Sequence, residues 1–156
     1  MKVLLAEDDS HKGEQLRGFL KALLPGATVT EARSFRSTVR ALRREAFDAL
    51  LLDMSMPVFD ITDDEAGGRH DPYAGREVLA EMDRFGVKCP VIVVTQFDRF
   101  GSAERGTTLA ELDAELVQAY PANYCGYVFF DTISETWREA LRARLLDAGI
   151  PAEETR

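Results

Sequence analysis

A chain of 156 residues, 46% hydrophobic and 29% charged, has the size and balance of one globular domain with its own core. Its formal charge of −8 argues against a nucleic-acid surface, which needs clustered Lys and Arg, and no apolar run approaches the roughly 20 residues that span a bilayer. Met1-Lys2 leads straight into a strand pattern and leaves no room for a signal peptide, so a cytoplasmic location is expected, with Cys89 and Cys125 as reduced thiols.

The first strand, about 2–6, is the buried run Val3-Leu4-Leu5-Ala6 and ends in Glu7, Asp8 and Asp9, the last a candidate helix cap. A helix follows with Leu16, Phe19, Leu20, Leu23 and Leu24 on one face, and Pro25-Gly26 stops it. After a short strand over 27–32, Phe35, Val39, Leu42 and Ala46 mark a second helix, with Arg40, Arg43 and Arg44 on its solvated side. Leu50-Leu51-Leu52 forms a third strand that runs into Asp53. Residues 58–74 hold Asp60, Asp63, Asp64, Glu65 and Asp71 with Gly67 and Gly68, which predicts a mobile acidic surface loop with few apolar anchors.

A third helix buries Val78, Leu79, Met82 and Phe85, and Pro90 to Thr95 is the fourth strand. A second enlarged loop, 96–107, precedes a helix carrying Leu109, Leu112, Leu116 and Ala119. Tyr124 to Phe129 is the fifth strand, and a last helix opens on a Thr132-Ile133-Ser134-Glu135 capping box and buries Trp137, Leu141 and Leu145. Strand and helix alternate, so residues 1–150 predict one α/β domain, a doubly wound five-stranded parallel sheet with right-handed crossovers, and 151–156 a tail. Two strands thereby deliver Glu7, Asp8 and Asp53 to the C-terminal sheet edge, where such sheets bind ligands. Clustered carboxylates repel one another there unless a proton or cation intervenes, which points to a divalent metal site.

The order and spacing of these motifs resemble the receiver domain of bacterial two-component response regulators. The acidic pair Glu7-Asp8, the turn Asp53 to Pro57, the strand ending in Thr95 and the run Gly126-Tyr127-Val128 each match a family element. The resemblance implies the flavodoxin-like strand order 2-1-3-4-5, with Asp53 as phosphoacceptor. It also implies Mg2+ held by Asp8, Asp53 and the backbone carbonyl of Ser55, Glu7 acting through water. Thr95 and Tyr127 would be switch residues. The implied partners are a histidine kinase or phosphotransfer protein and a downstream protein on the fourth helix, fifth strand and fifth helix, with no nucleic acid, no membrane and no turnover of a small substrate. The domain would stand alone or be cut from a longer protein.

One element departs from the family: its Lys-Pro falls on Phe130-Asp131, and no lysine occurs after Lys88. An aromatic ring offers neither charge nor a hydrogen-bond donor to a phosphoryl group. Two readings follow, a phosphorylated receiver or an interaction module that does not need phosphate. If Phe130→Lys failed to strengthen retention of a phosphoryl mimic, another group, such as Arg69, Arg99 or Arg105 of the enlarged loops, would already fill the lysine's role. Haloacid-dehalogenase-like phosphatases also use an aspartate nucleophile, but they need a second acid where Ser55 stands. His11 is expected to be an exposed first-turn histidine.

Overall fold

The computed structural model describes residues 1–61, 70–102, 104 and 106–152. Its central sheet is built from β1 (Lys2–Ala6), β2 (Thr28–Ala32), β3 (Ala49–Leu52), β6 (Val91–Thr95) and β9 (Tyr124–Phe129). Two hairpins supply the remaining strands, β4 (Met56–Pro57) with β5 (His70–Asp71) and β7 (Arg99–Phe100) with β8 (Thr107–Thr108). The helices are α1 (Ser10–Leu23), α2 (Phe35–Arg44), α3 (Ala74–Phe85), α4 (Leu109–Ala119) and α5 (Thr136–Asp147). All five central strands run parallel in the order β2-β1-β3-β6-β9, which is the expected 2-1-3-4-5 order of a flavodoxin-like sheet once the hairpins are set aside.

The apolar runs are buried on both faces because the sheet is covered on both. Val3, Leu5, Ala49 and Leu51 pack on Leu16 and Leu20 of α1 and on Trp137 and Leu141 of α5. Their neighbours Leu4, Ala6, Leu50 and Leu52 face Leu42, Val78, Leu79 and Leu112 of α2, α3 and α4. Strand alternation thus assigns successive residues to the two cores. Cys89 and Cys125 are free thiols. No described helix is long and apolar enough to cross a membrane.

Several local expectations are corrected. Helix α5 starts at Thr136 with no side-chain cap, so the expected capping box does not form. Asp131 Oδ1 instead accepts from the Ile133 N–H at 2.8 Å, and Ser134 Oγ from the Thr136 N–H at 3.1 Å. Two tight turns, closed by Asp131 and Ser134, thereby occupy the segment before the helix. Phe85, expected inside, is 42% exposed and stacks under the Arg43 guanidinium at 4.1 Å, because α3 runs past the core before Gly86 ends it. Ala46 lies beyond the end of α2 and Ala119 at the end of α4, and both are exposed; Phe47 takes the buried position instead.

The loop expected over 58–74 is anchored at its described ends. Met56 and Pro57 are buried and pair with Asp71 and His70. Tyr73 then ties this hairpin to the second enlarged loop: its hydroxyl lies 3.1 Å from both the Phe100 carbonyl and Thr107 Oγ1, and its ring 6.4 Å from that of buried Phe100. The acidic centre of the loop, with Asp63, Asp64, Glu65, Gly67, Gly68 and Arg69, lies outside the described residues, as does Arg105.

Candidate functional site

Strand geometry brings the acids together. The Asp53 N–H donates to the Ala6 carbonyl at 2.9 Å, extending the β1–β3 ladder one residue past β3. The carboxylates of Glu7, Asp8 and Asp53 consequently each offer an oxygen within 4.8 Å of the others. Helix α3 approaches from the side, its Gly75 N–H donating to the Met54 carbonyl at 2.9 Å. A Cβ at Gly75 would stand 2.8 Å from the Asp53 carbonyl, so only glycine lets the helix come this close to the turn.

The pocket also contains a cation that the sequence reading did not assign. Asp9 caps α1 by accepting from the Lys12 N–H at 2.9 Å, and the Lys12 side chain, 1% exposed, runs into the acidic cluster. Its ammonium lies 2.5 Å from Glu7 Oε2 and 3.4 Å from Asp53 Oδ1. It also donates to the Val94 carbonyl at 2.8 Å. One of these contacts, to Val94, is a hydrogen bond, and the other two are ion pairs. Glu7 Oε2 and Asp53 Oδ1 have no aligned hydrogen bond, so the Lys12 charge is what compensates their burial. Glu7 Oε1 accepts from the Asp9 N–H at 3.0 Å. A signal was present: Lys12 sits four residues before Leu16, in line with the buried stripe Leu16, Leu20 and Leu23. Among the described residues the cation beside Asp53 is Lys12, while Arg69 and Arg105 lie outside them. Arg99 is exposed on β7.

Phe130, at the family's lysine position, is 1% exposed, its ring centroid 4.9 Å from that of Trp137 and 6.0 Å from Lys12 Nζ. The ring fills the space beside the ammonium. Thr95 is fully buried; its hydroxyl accepts from the Phe97 N–H at 3.1 Å, and its carbonyl from the Phe130 N–H at 2.7 Å. Tyr127 is half-buried against the α4 side of the sheet, and its carbonyl accepts from Arg144 Nε at 3.1 Å. Ser55 Oγ lies 2.6 Å from His70 Nε2, which latches the β4–β5 hairpin to the pocket rim. His11 is exposed and bonds Gln15, taking no part.

Burial dominates the electrostatics. It pushes the Glu7 carboxyl up from 4.5 to about 7, helped by the Asp53 charge and opposed by Lys12. Burial also raises Asp53, against the pull of Lys12, and raises half-buried Asp8, with Glu7 adding to the effect. Among the described residues, three carboxylates, when ionised, against one ammonium leave two negative charges, which a divalent cation would balance. The hard carboxylate oxygens of Asp8 and Asp53 suit Mg2+, while Glu7 is engaged by Lys12.

No protein-family model matches the chain. It is 34% identical over 149 residues to the Detocs response regulatory protein DtcB of Enterobacter cloacae, covering 94% of this chain and 99% of that protein. The fold superposes on the receiver domain of a Francisella response regulator with a TM-score of 0.61, at 18% identity over 94% of each chain. A TM-score of 0.56, at 24% identity over 95% of this chain and 97% of the other, relates it to the receiver domain of the sensor histidine kinase PA1611 from Pseudomonas aeruginosa, which holds a magnesium ion in its active-site cleft.

Proposed function

Because the chain belongs to the response-regulator family and carries the fold of its receiver domains, we propose that it accepts a phosphoryl group on Asp53 from the phosphohistidine of a kinase or phosphotransfer protein. The observation that carries this reading is a buried aspartate at the end of β3, held 3.4 Å from an ammonium within a three-carboxylate cluster. An Asp53 carboxylate oxygen attacks phosphorus and forms an O–P bond. The donor's N–P bond breaks, its electron pair returns to the imidazole, and the product is an acyl phosphate. Bound Mg2+, held by Asp8, Asp53 and the Ser55 carbonyl, would neutralise charge on the transferring group. Asp53 provides the nucleophile, and Thr95 a buried hydroxyl that would donate to a phosphoryl oxygen.

Drawing Thr95 inward would move the β6 end and, beside it, Tyr127, so that the new state is read by a protein partner on α4, β9 and α5. That surface carries exposed Val117, Phe129 and Leu146. The rival reading is an interaction module indifferent to phosphate, which Phe130 favours; the ammonium 3.4 Å from Asp53 Oδ1 supports phosphoryl acceptance against it. Incubation with acetyl phosphate and Mg2+ should add the mass of one phosphoryl group to the native chain and none to Asp53→Ala. An unmodified native chain would instead favour the interaction module.

Metal binding should depend steeply on pH. Glu7 holds its proton more tightly folded than unfolded, so without a cation its contribution to stability is complete below 4.5 and lost as pH rises through about 7. Mg2+ competes with those protons and should raise Tm more at about pH 8 than at about pH 5.5. Calorimetric melts at both values test this; an equal gain would place the metal elsewhere.

A further inference from the structure

We propose that Lys12 is the residue that pairs with the phosphoryl group on Asp53, its ammonium delivered from α1 instead of from the end of β9. The inference rests on the phosphoacceptor reading above and assigns to a different element the one charge that Phe130 takes away. Three observations carry it. Among the described residues the Lys12 ammonium is the cation adjacent to the Asp53 oxygen, 3.4 Å from Oδ1. That contact is the loosest of its three, against 2.5 Å to Glu7 and 2.8 Å to the Val94 carbonyl, and lies outside the 2.7–2.9 Å range of strong charge-assisted bonds. It is the one an incoming group can replace. Phe130 closes the other side of the ammonium and keeps water from it, which strengthens any charge pairing made there.

The exchange balances in charge. In the free state Asp53 contributes one negative charge to Lys12 at Oδ1. Once Asp53 is an acyl phosphate it has lost that charge, and the phosphoryl oxygens carry negative charge a bond further out. The ammonium keeps its Glu7 ion pair and its Val94 hydrogen bond and offers an N–H, which makes no aligned bond to Asp53, to a phosphoryl oxygen. The stem of Lys12 is fixed by burial in line with Leu16, so the donor is already in place and little side-chain freedom remains to be lost.

The test separates metal from phosphoryl binding, because a merely structural lysine would affect both alike. Beryllofluoride serves as the phosphoryl probe on the whole chain at saturating Mg2+, with Lys12→Met and Lys12→Gln as variants. Gln keeps a donor and drops the charge, so it stays informative if the Met variant fails to fold. Calorimetry should show Mg2+ affinity equal to or above that of the native chain, since the pocket is then more negative. Beryllofluoride retention should fall at least about tenfold. A folded variant that retains the probe as well as the native chain overturns the assignment. A native chain that binds neither beryllofluoride nor acetyl-phosphate-derived phosphate overturns the phosphoacceptor reading itself, and this inference with it.

Discussion

Lys12→Met is expected to lower the stability of the cation-free protein by about 3–5 kcal/mol near neutral pH, the cost of removing one partner from a buried ion-pair cluster. Glu7 and Asp53 would be left facing each other without the ammonium that now opposes the upward push of burial. Their carboxyls would move further up. With folded-state values above the unfolded ones, stability is retained at low pH, where both are protonated, and lost as pH rises. The deficit should therefore be small near about pH 5, large near about pH 8, and reversed in part by Mg2+, whose charge replaces the missing one. Urea melts at the two pH values, with and without Mg2+, test it. A deficit independent of pH would mean that the lysine stem, not its charge, is what the fold uses.

Phe130→Lys restores the residue that the family resemblance implies, yet it is expected to harm this protein. The ring is fully buried between Trp137 and Lys12, and its removal should cost about 3 kcal/mol or more of packing. A second ammonium about where the ring now lies would also bring the pocket's two net negative charges down to one. That no longer matches a divalent cation, so Mg2+ affinity should fall. Because Lys12 already stands beside Asp53, beryllofluoride retention should not improve. Thermal melts and metal titrations of the variant give both readouts. A stable variant with stronger retention would show that position 130, and not Lys12, is where the phosphoryl group seeks its cation.

The two experiments bear on why part of this protein is legible in its sequence. Runs such as Val3 to Ala6 and Leu50 to Leu52 alternate with helices of three-four spacing, and that rhythm alone fixes a parallel, doubly wound sheet. In such a sheet strand ends share an edge, so Glu7, Asp8 and Asp53 had to meet there. Both statements depend on local periods and on one topological rule, and neither needs a distance.

What only the tertiary structure decided is everything that depends on reach across elements. Lys12 reads locally as a residue in line with the buried stripe Leu16, Leu20 and Leu23, which turns it inward without naming a partner. Its ammonium joins the pocket because α1 packs over β1 and β3 and a four-carbon stem carries the charge across to Val94 on β6. Phe130 reads as a lost lysine, and only its packing on Trp137 shows the ring closing the side of a site whose cation comes from elsewhere. The hairpin ends of both enlarged loops, joined through Tyr73, likewise depend on pairings between residues far apart in the chain. Local pattern specifies which face a residue takes. Which distant partner its side chain can touch follows from how helices seat on the sheet, a non-local packing outcome that no window of sequence contains.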